Sequence, residues 1–327
     1  MTIQLPPALP RRALLAATLA FPGIARAQDF PSRPIRIVVP FPAGGPVDIM
    51  VRIAAEALTP RLGQRVVVEN RSGAAGNIAA EHVARGPADG YTLLSAGQAI
   101  LAINQALYRR LPYDPAELAW IGMIGASANV IMAHPDAAPV NNIVELVALA
   151  RQRPGAITYG SFGPGSLAHL TVEVLQLAAN VRFEHIPYRG AAPMMTDLLA
   201  GRIGFGMSSP PTAIPAVREG RVRGIGVTSR ERIAMLPDTP TLVESGYPDL
   251  DLPGWHSLVA PAATPAPVLE RLRTAFGAVL ASESYVNAMA AIATDVRRLS
   301  PTEADAMITR ERRLWADAVR ASGATAE

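Results

Sequence analysis

Apolar residues along this chain fall into two alternating rhythms. Short, nearly unbroken runs rich in Val and Ile occur at 35–40, 66–69, 91–95, 120–124, 130–133, 157–159, 183–187, 203–207 and 222–228. Such runs read as strands with both faces buried. Between many of them, apolar positions recur at three- and four-residue intervals over 46–58, 143–152, 167–179, 193–200 and 211–219, the spacing of amphipathic helices. Two more helical patterns, 267–281 and 301–321, close the chain. The alternation predicts an α/β fold with largely parallel sheets covered by helices. At 327 residues the chain is large for one core and natural for two lobes. Residues 125–129 and 254–261 are expected to carry the chain between them. The first lobe is then discontinuous, 28–127 with 252–327, and the second continuous, 128–251. Ligands of such folds sit in the crevice outside the carboxyl ends of strands.

Two turns have the chemistry for such a crevice. The first follows the strand pattern at 35–40 and reads Phe41-Pro42-Ala43-Gly44-Gly45, with a helix pattern opening at Pro46. Strand, glycine turn and helix start point free backbone N–H groups at one spot, a ready anion site. Gly44 and Gly45 let a ligand approach the backbone closely. Asp48 lies just inside the helix, where a carboxylate either complements the helix dipole or holds the loop; the pattern leaves both open. The second turn, from Tyr159 to Ser166, reads Gly160-Ser161-Phe162-Gly163-Pro164-Gly165, and Ser166 is placed to cap the helix that follows. One such unit alone is usually a plain connection, but one per lobe makes a clamp.

Composition narrows the chemistry. All 30 basic residues are arginines, and the chain has neither Lys nor Cys. A Walker lysine, a Schiff base, a cysteine nucleophile, an iron–sulfur cluster and a disulfide are therefore excluded. No G-x-S-x-G elbow occurs, and the second turn lacks dinucleotide G-x-G-x-x-G spacing. His82, His134, His169, His185 and His256 show no metal-ligand pairing, so no metal and no cofactor are expected. His169 and Glu173 are four apart on a helix face, which reads as a local pair rather than a catalytic dyad.

At the N-terminus Arg11-Arg12 precedes the apolar stretch 13–21, and Ala25-Arg26-Ala27 has the A-x-A form. This reads as an export signal over residues 1–27, by the Sec or twin-arginine route, cleaved after Ala27. Arg11, Arg12 and Arg26 account for the whole formal charge of +3, so the mature chain is neutral and no nucleic-acid partner is expected.

The quoted turns also carry a resemblance. The run 31–45 with Asp48, then Val66-Val67-Val68-Glu69-Asn70, Asp89-Gly90-Tyr91, Ala168-His169-Leu170, Pro187-Tyr188-Arg189-Gly190 and Pro237-Asp238-Thr239-Pro240, resembles Bug-type (TctC-like) substrate-binding proteins of tripartite tricarboxylate transporters. The likeness runs in order through the whole mature chain. It implies a type II periplasmic-binding-protein clamshell, two Rossmann-like lobes around a ligand cleft. It further implies a periplasmic, monomeric receptor, not an enzyme, that hands a small organic or aromatic carboxylate to membrane transporter subunits. An exported hydrolase or isomerase, and a receptor signalling to a membrane sensor, are the alternatives. The ligand contacts carried over are Phe41, Pro42, Ala43, Gly44, Gly45 and Asp48 in the first turn. Gly97 and Gln98 follow the third strand pattern; Ser161, Phe162 and Gly163, with His169 nearby, form the second turn. Tyr188 and Arg189 lie in a loop near the cleft. Ser208 stands where many relatives carry an acid, so an ammonium-bearing ligand is disfavoured. Phe162 stands where a small residue is common, so its ring either meets the ligand or only packs the turn.

Overall fold

The computed structural model describes residues 30–326. The expected leader, with its paired arginines and cleavage point after Ala27, lies outside the described residues. Strands β1 (Ile35–Val39), β2 (Val66–Asn70), β3 (Thr92–Gly97) and β4 (Leu118–Ser127) enter one sheet. Strands β5 (Val130–Ala133), β6 (Thr158–Ser161), β7 (Glu184–Pro187), β8 (Phe205–Ser208) and β9 (Arg223–Val227) form a second. The chain then returns to the first sheet as β10 (Gly254–Pro261). The orders are β2-β1-β3-β10-β4 and β7-β6-β8-β5-β9.

Both sheets are mixed rather than largely parallel. β1 runs parallel to β2 and β3, and β6 parallel to β7 and β8. β10 opposes β3 and β4, and β5 opposes β8 and β9. The reason is where the chain crosses. Only Ala128 and Asn129 separate β4 from β5, so the chain passes from sheet to sheet at the carboxyl end of β4. A strand returning at that end must run against its neighbours, and Gly254 pairs with Ser127, the last residue of β4. The segment 254–261, expected as a crossing, is therefore a buried strand.

The helices are α1 (Pro46–Leu62), α2 (Asn77–Ala84), α3 (Asn104–Leu107), α4 (Ile143–Gln152), α5 (Leu167–Ala179), α6 (Ala191–Leu199), α7 (Pro210–Arg218), α8 (Ala266–Leu280), α9 (Glu283–Ala291) and α10 (Pro301–Ser322). Val51, Leu58, Phe276 and Tyr285 pack on Ile35 and Ile37 at one face of the first sheet. Val83, Ile100 and Ile308 pack on Val38 and Leu94 at the other. The second sheet is covered alike, by Ile143, Leu170 and Val174 on Tyr159 and Phe205, and by Met194, Leu198 and Ile214 on Val130 and Met132.

α10 belongs to both layers. Ser300 and Glu303 close a capping box at its start, and Ala304 and Ile308 lie in the first lobe's core. Trp315, Ala318 and Val319, farther along, lie in the core of the second. The helix thus spans the junction beside the two strand crossings.

Candidate functional site

The first turn is braced from behind by Asp48. Gly45 is the N-cap of α1, and Pro46 supplies its first residue with φ already helical. Gly44 adopts φ +79°, the left-handed region. Its N–H donates to Asp48 Oδ2 at 2.8 Å, and Arg52 Nε donates to the same oxygen at 2.8 Å. Asn70 Nδ2 donates to Asp48 Oδ1 at 2.8 Å and to the Phe41 carbonyl at 3.0 Å. Burial alone would raise the Asp48 pKa, but the hydrogen bonds from Arg52, Gly44 and Asn70 outweigh it and hold the carboxylate at about 2. Asp48 is 2% exposed, so its charge is spent on the loop.

The second turn is organised around stacked imidazoles. Ser166 caps α5 by accepting the His169 N–H, and Gly165 N–H donates to His169 Nδ1 at 3.0 Å. The His169 ring stacks on His185 with centroids 4.0 Å apart, and Tyr159 stacks beside His185 at 4.9 Å. Tyr159 donates its hydroxyl to Glu173 at 2.8 Å, while His169 Nε2 lies 3.6 Å from the same carboxylate. Burial, then the neighbouring His185, pushes the His169 pKa down to about 4. Burial likewise lowers His185 and raises Glu173. Ser161 Oγ lies 2.6 Å from His185 Nε2 and also accepts the Gly163 N–H at 3.1 Å.

The space between these turns is a cleft of two adjoining chambers. One, of about 280 Å³, is lined from the first lobe by Phe41, Gly97, Gln98 and Ile100 and from the second by Gly165, Ser166 and Leu167. The other, of about 610 Å³, is lined by Gly44, Val47 and Met50 on one side and Ser209, Pro210 and Pro211 on the other. His256, Gly254 and Leu167 border both. The His256 ring meets Phe41 edge-on at 5.6 Å, and its burial holds the imidazole at about 4. The starts of α1, α5 and α7 all reach this cleft, and those of α1 and α5 bring unpaired N–H groups of helix first turns to it.

Comparison with known proteins identifies this arrangement. The TctC model, described as the tripartite tricarboxylate transporter family receptor, matches residues 50–323. The chain belongs to this family. Protein BugT of Bordetella pertussis is 34% identical over 317 residues, 95% of this chain and 97% of BugT. The solved structure of Rpa4515 from R. palustris with adipate is 34% identical at TM-score 0.76, covering 91% of this chain and 99% of that one. MatC (Rpa3494) from Rhodopseudomonas palustris with bound malate is 27% identical at TM-score 0.72, covering 89% and 100%. The two-sheet fold is accordingly the two-lobed clamshell of TctC-type receptors.

Within this TctC-type cleft the expected contacts separate. Phe41, Gly44, Gly97 and Gln98 line the chambers. Pro42, Ala43 and Gly45 belong to the same first turn, and Asp48 supports it. Ser161, Phe162, Gly163, His169, Tyr188, Arg189 and Ser208 do not line either chamber. Phe162 packs its ring against both cores of the second lobe. Tyr188 donates its hydroxyl to Asp197 at 2.9 Å, and Ser208 is 1% exposed at the end of β8. His256, Met50, Pro210 and Pro211 line the cleft without having been singled out by sequence reasoning. Their signal was present in part, as the helix pattern with prolines at its start and the single histidine of 254–261.

Gln98 is tied into the junction. Its Nε2 donates to Glu311 Oε2 at 3.1 Å, and its Oε1 accepts the Trp255 N–H at 3.4 Å. A wall of the cleft, the returning strand β10 and the spanning helix α10 meet there.

Proposed function

We propose that this chain captures a small carboxylate in its cleft and presents it, as a monomer in the periplasm, to the membrane subunits of a tripartite tricarboxylate-type transporter. The observation that carries this is the pairing of two glycine turns, each opening a helix, across one cleft. Backbone donors of that kind suit an anion, and a closing cleft strengthens them by excluding water. Adipate on Rpa4515 and malate on MatC support the chemical class.

In this reading Phe41 to Gly45, Gly97 and Gln98 contact the ligand directly. Asp48 positions the first turn; Ser161, Phe162, Gly163 and His169 hold the second. Tyr188, Arg189 and Ser208 belong to the second lobe's supporting shell. The lobes divide as 28–127 with 252–327 and as 128–251, hinge at 128–129 and 252–254, and are exported by the leader cleaved after Ala27. Closure follows from contacts made only in the shut form.

The protein acts without catalysis. The Ser161–His185 contact is the observation that would favour a hydrolase. Yet Ser161 is fully buried, and its hydroxyl also bonds within its own turn. A nucleophile needs a free path to its substrate. A thermal-shift screen of organic acids tests the reading: stabilisation by at least one small carboxylate, with no product formed, is expected. Stabilisation by none would overturn it.

A further inference from the structure

The larger chamber of the cleft is walled mostly by hydrocarbon; of its polar side chains Ser127 and Thr294 bond one another at 2.8 Å, and Asn129, Ser209 and His256 are the others. Val47, Ile49 and Met50 of α1 face Leu167 of α5 and Pro210 and Pro211 of α7 across it. Among the described residues, none that lines this chamber or its smaller neighbour is an arginine, an aspartate or a glutamate. Asp48 and Arg52, on the same helix, already pair with one another at 2.8 Å. His256 borders both chambers, but its burial keeps the ring neutral at neutral pH.

Backbone donors are also unequally distributed. A helix start attracts an anion through its first N–H groups, and a proline contributes none. α7 begins with two prolines, Pro210 and Pro211, so half of its four unpaired donors are missing. In their place two pyrrolidine rings line the chamber. α5 begins Leu167-Ala168-His169; the His169 N–H is taken by the Ser166 hydroxyl and the Ser166 N–H by the Gly163 carbonyl, and those of Leu167 and Ala168 remain. The cleft can therefore hold one carboxylate at the turns near α1 and α5. To a second charge at the α7 wall it offers no cation and only neutral groups such as the Ser209 hydroxyl and the Asn129 amide, and burial of an ion without a charged partner is strongly unfavourable.

From this we infer that the ligand is a monocarboxylate with an uncharged, apolar body, aliphatic or aromatic, seated against Pro210, Pro211, Val47, Ile49 and Met50. The inference rests on the carboxylate-receptor reading and narrows it. The residues that carry it are the α7 prolines and the apolar start of α1. The chamber volume of about 610 Å³ accommodates such a body.

The test is calorimetric titration of the purified receptor with matched pairs of acids. Hexanoate and adipate share a six-carbon chain and differ in a methyl against a second carboxylate; benzoate and terephthalate differ in the same way. In at least one pair the monoacid is expected to bind more tightly than the diacid by about tenfold or more. Adipate and terephthalate binding as tightly as their partners would overturn the inference. So would silence from all four acids while another carboxylate stabilises the protein, an outcome that leaves the receptor reading standing. Hexanamide matching hexanoate would instead remove the carboxylate from recognition and sink the underlying reading. Pro211→Arg places a cation at the exposed rim of the α7 wall. It is expected to shift preference toward adipate; an unchanged ratio would place the apolar end elsewhere and overturn the seating.

Discussion

Glu311, midway along α10, accepts the indole N–H of Trp255 in β10 at 2.9 Å. The same carboxylate accepts from the Trp315 indole at 3.2 Å and from Gln98 at 3.1 Å, and it is 2% exposed. Burial raises its pKa, with the three hydrogen bonds opposing the rise. One buried acid therefore joins the cleft wall, the returning strand and the helix shared by both lobes. Glu311→Ala strands three buried donors and is expected to cost about 3 kcal/mol in urea unfolding. Glu311→Gln keeps one acceptor oxygen and should fall between wild type and alanine. An alanine variant as stable as wild type would show that these donors find other partners.

The Asp48 brace predicts acid sensitivity with a definite sign. Its folded pKa, about 2, lies below the ordinary 3.8. Its contribution is therefore complete above the ordinary value and is lost as pH falls through the folded one. The shift corresponds to about 2 kcal/mol. Asp48→Asn should lose that share of the acid dependence between pH ~5 and ~2. It should also weaken ligand binding about tenfold, because the amide keeps only one acceptor oxygen and the brace that Gly44, Arg52 and Asn70 share on the carboxylate is broken on one side. Unchanged affinity in calorimetry would detach the brace from binding.

His169 works in the opposite chemical sense. Its folded pKa of about 4 lies below the ordinary 6.5, so the unfolded chain takes up a proton first as the solution is acidified. Stability from this group is therefore lost between those two values as pH falls. His185 stacks on it, Glu173 lies beside it and Tyr159 closes the stack, so each contributes to the measured slope. Between pH ~7 and ~5, wild type should lose about 2 kcal/mol more than His169→Gln. Equal losses in urea titrations at the two pH values would refute the assignment.

Gly165 is required twice over. It adopts φ +73°, and a Cβ there would come within 2.6 Å of Leu107 Cδ1. Gly165→Ala should cost about 1–2 kcal/mol, part from the left-handed backbone and part from the clash. Combining it with Leu107→Ala should return the clash portion alone. A double-mutant cycle with no coupling would separate the turn from α3.

Much of this architecture is legible from local pattern. The turns at 41–45 and 159–166 stand out because glycine and proline interrupt β-branched runs, and the starts of α4, α5 and α10 lie where apolar spacing and caps put them. What local pattern omits is long-range pairing. β10 reads as a crossing because glycine and proline bracket it, and its strand character comes from insertion between β3 and β4. His256 reaches the cleft only through that insertion, which sets it opposite Gly97. Glu311 meets Gln98 across 213 residues, a distance at which spacing carries no signal. The α7 prolines are visible as a helix start, but which wall they form depends on sheet order.

The insertion of β10 also sets a timetable. All five strands of the second sheet are contiguous in the chain, whereas the first sheet keeps an empty slot between β3 and β4 until residues 254–261 arrive. The Ser257 hydroxyl that bonds the Ala96 carbonyl must travel across 161 residues to do so. Contacts of such separation form late, after the entropy of closing the loop has been overcome. During synthesis the second sheet can therefore pair its strands while the first waits with exposed edges, although the core beneath the second sheet is completed only by Trp315, Ala318 and Val319 of α10. One sheet can thus form early while the other is held open by its own topology, and both lobes close only when the C-terminal residues arrive.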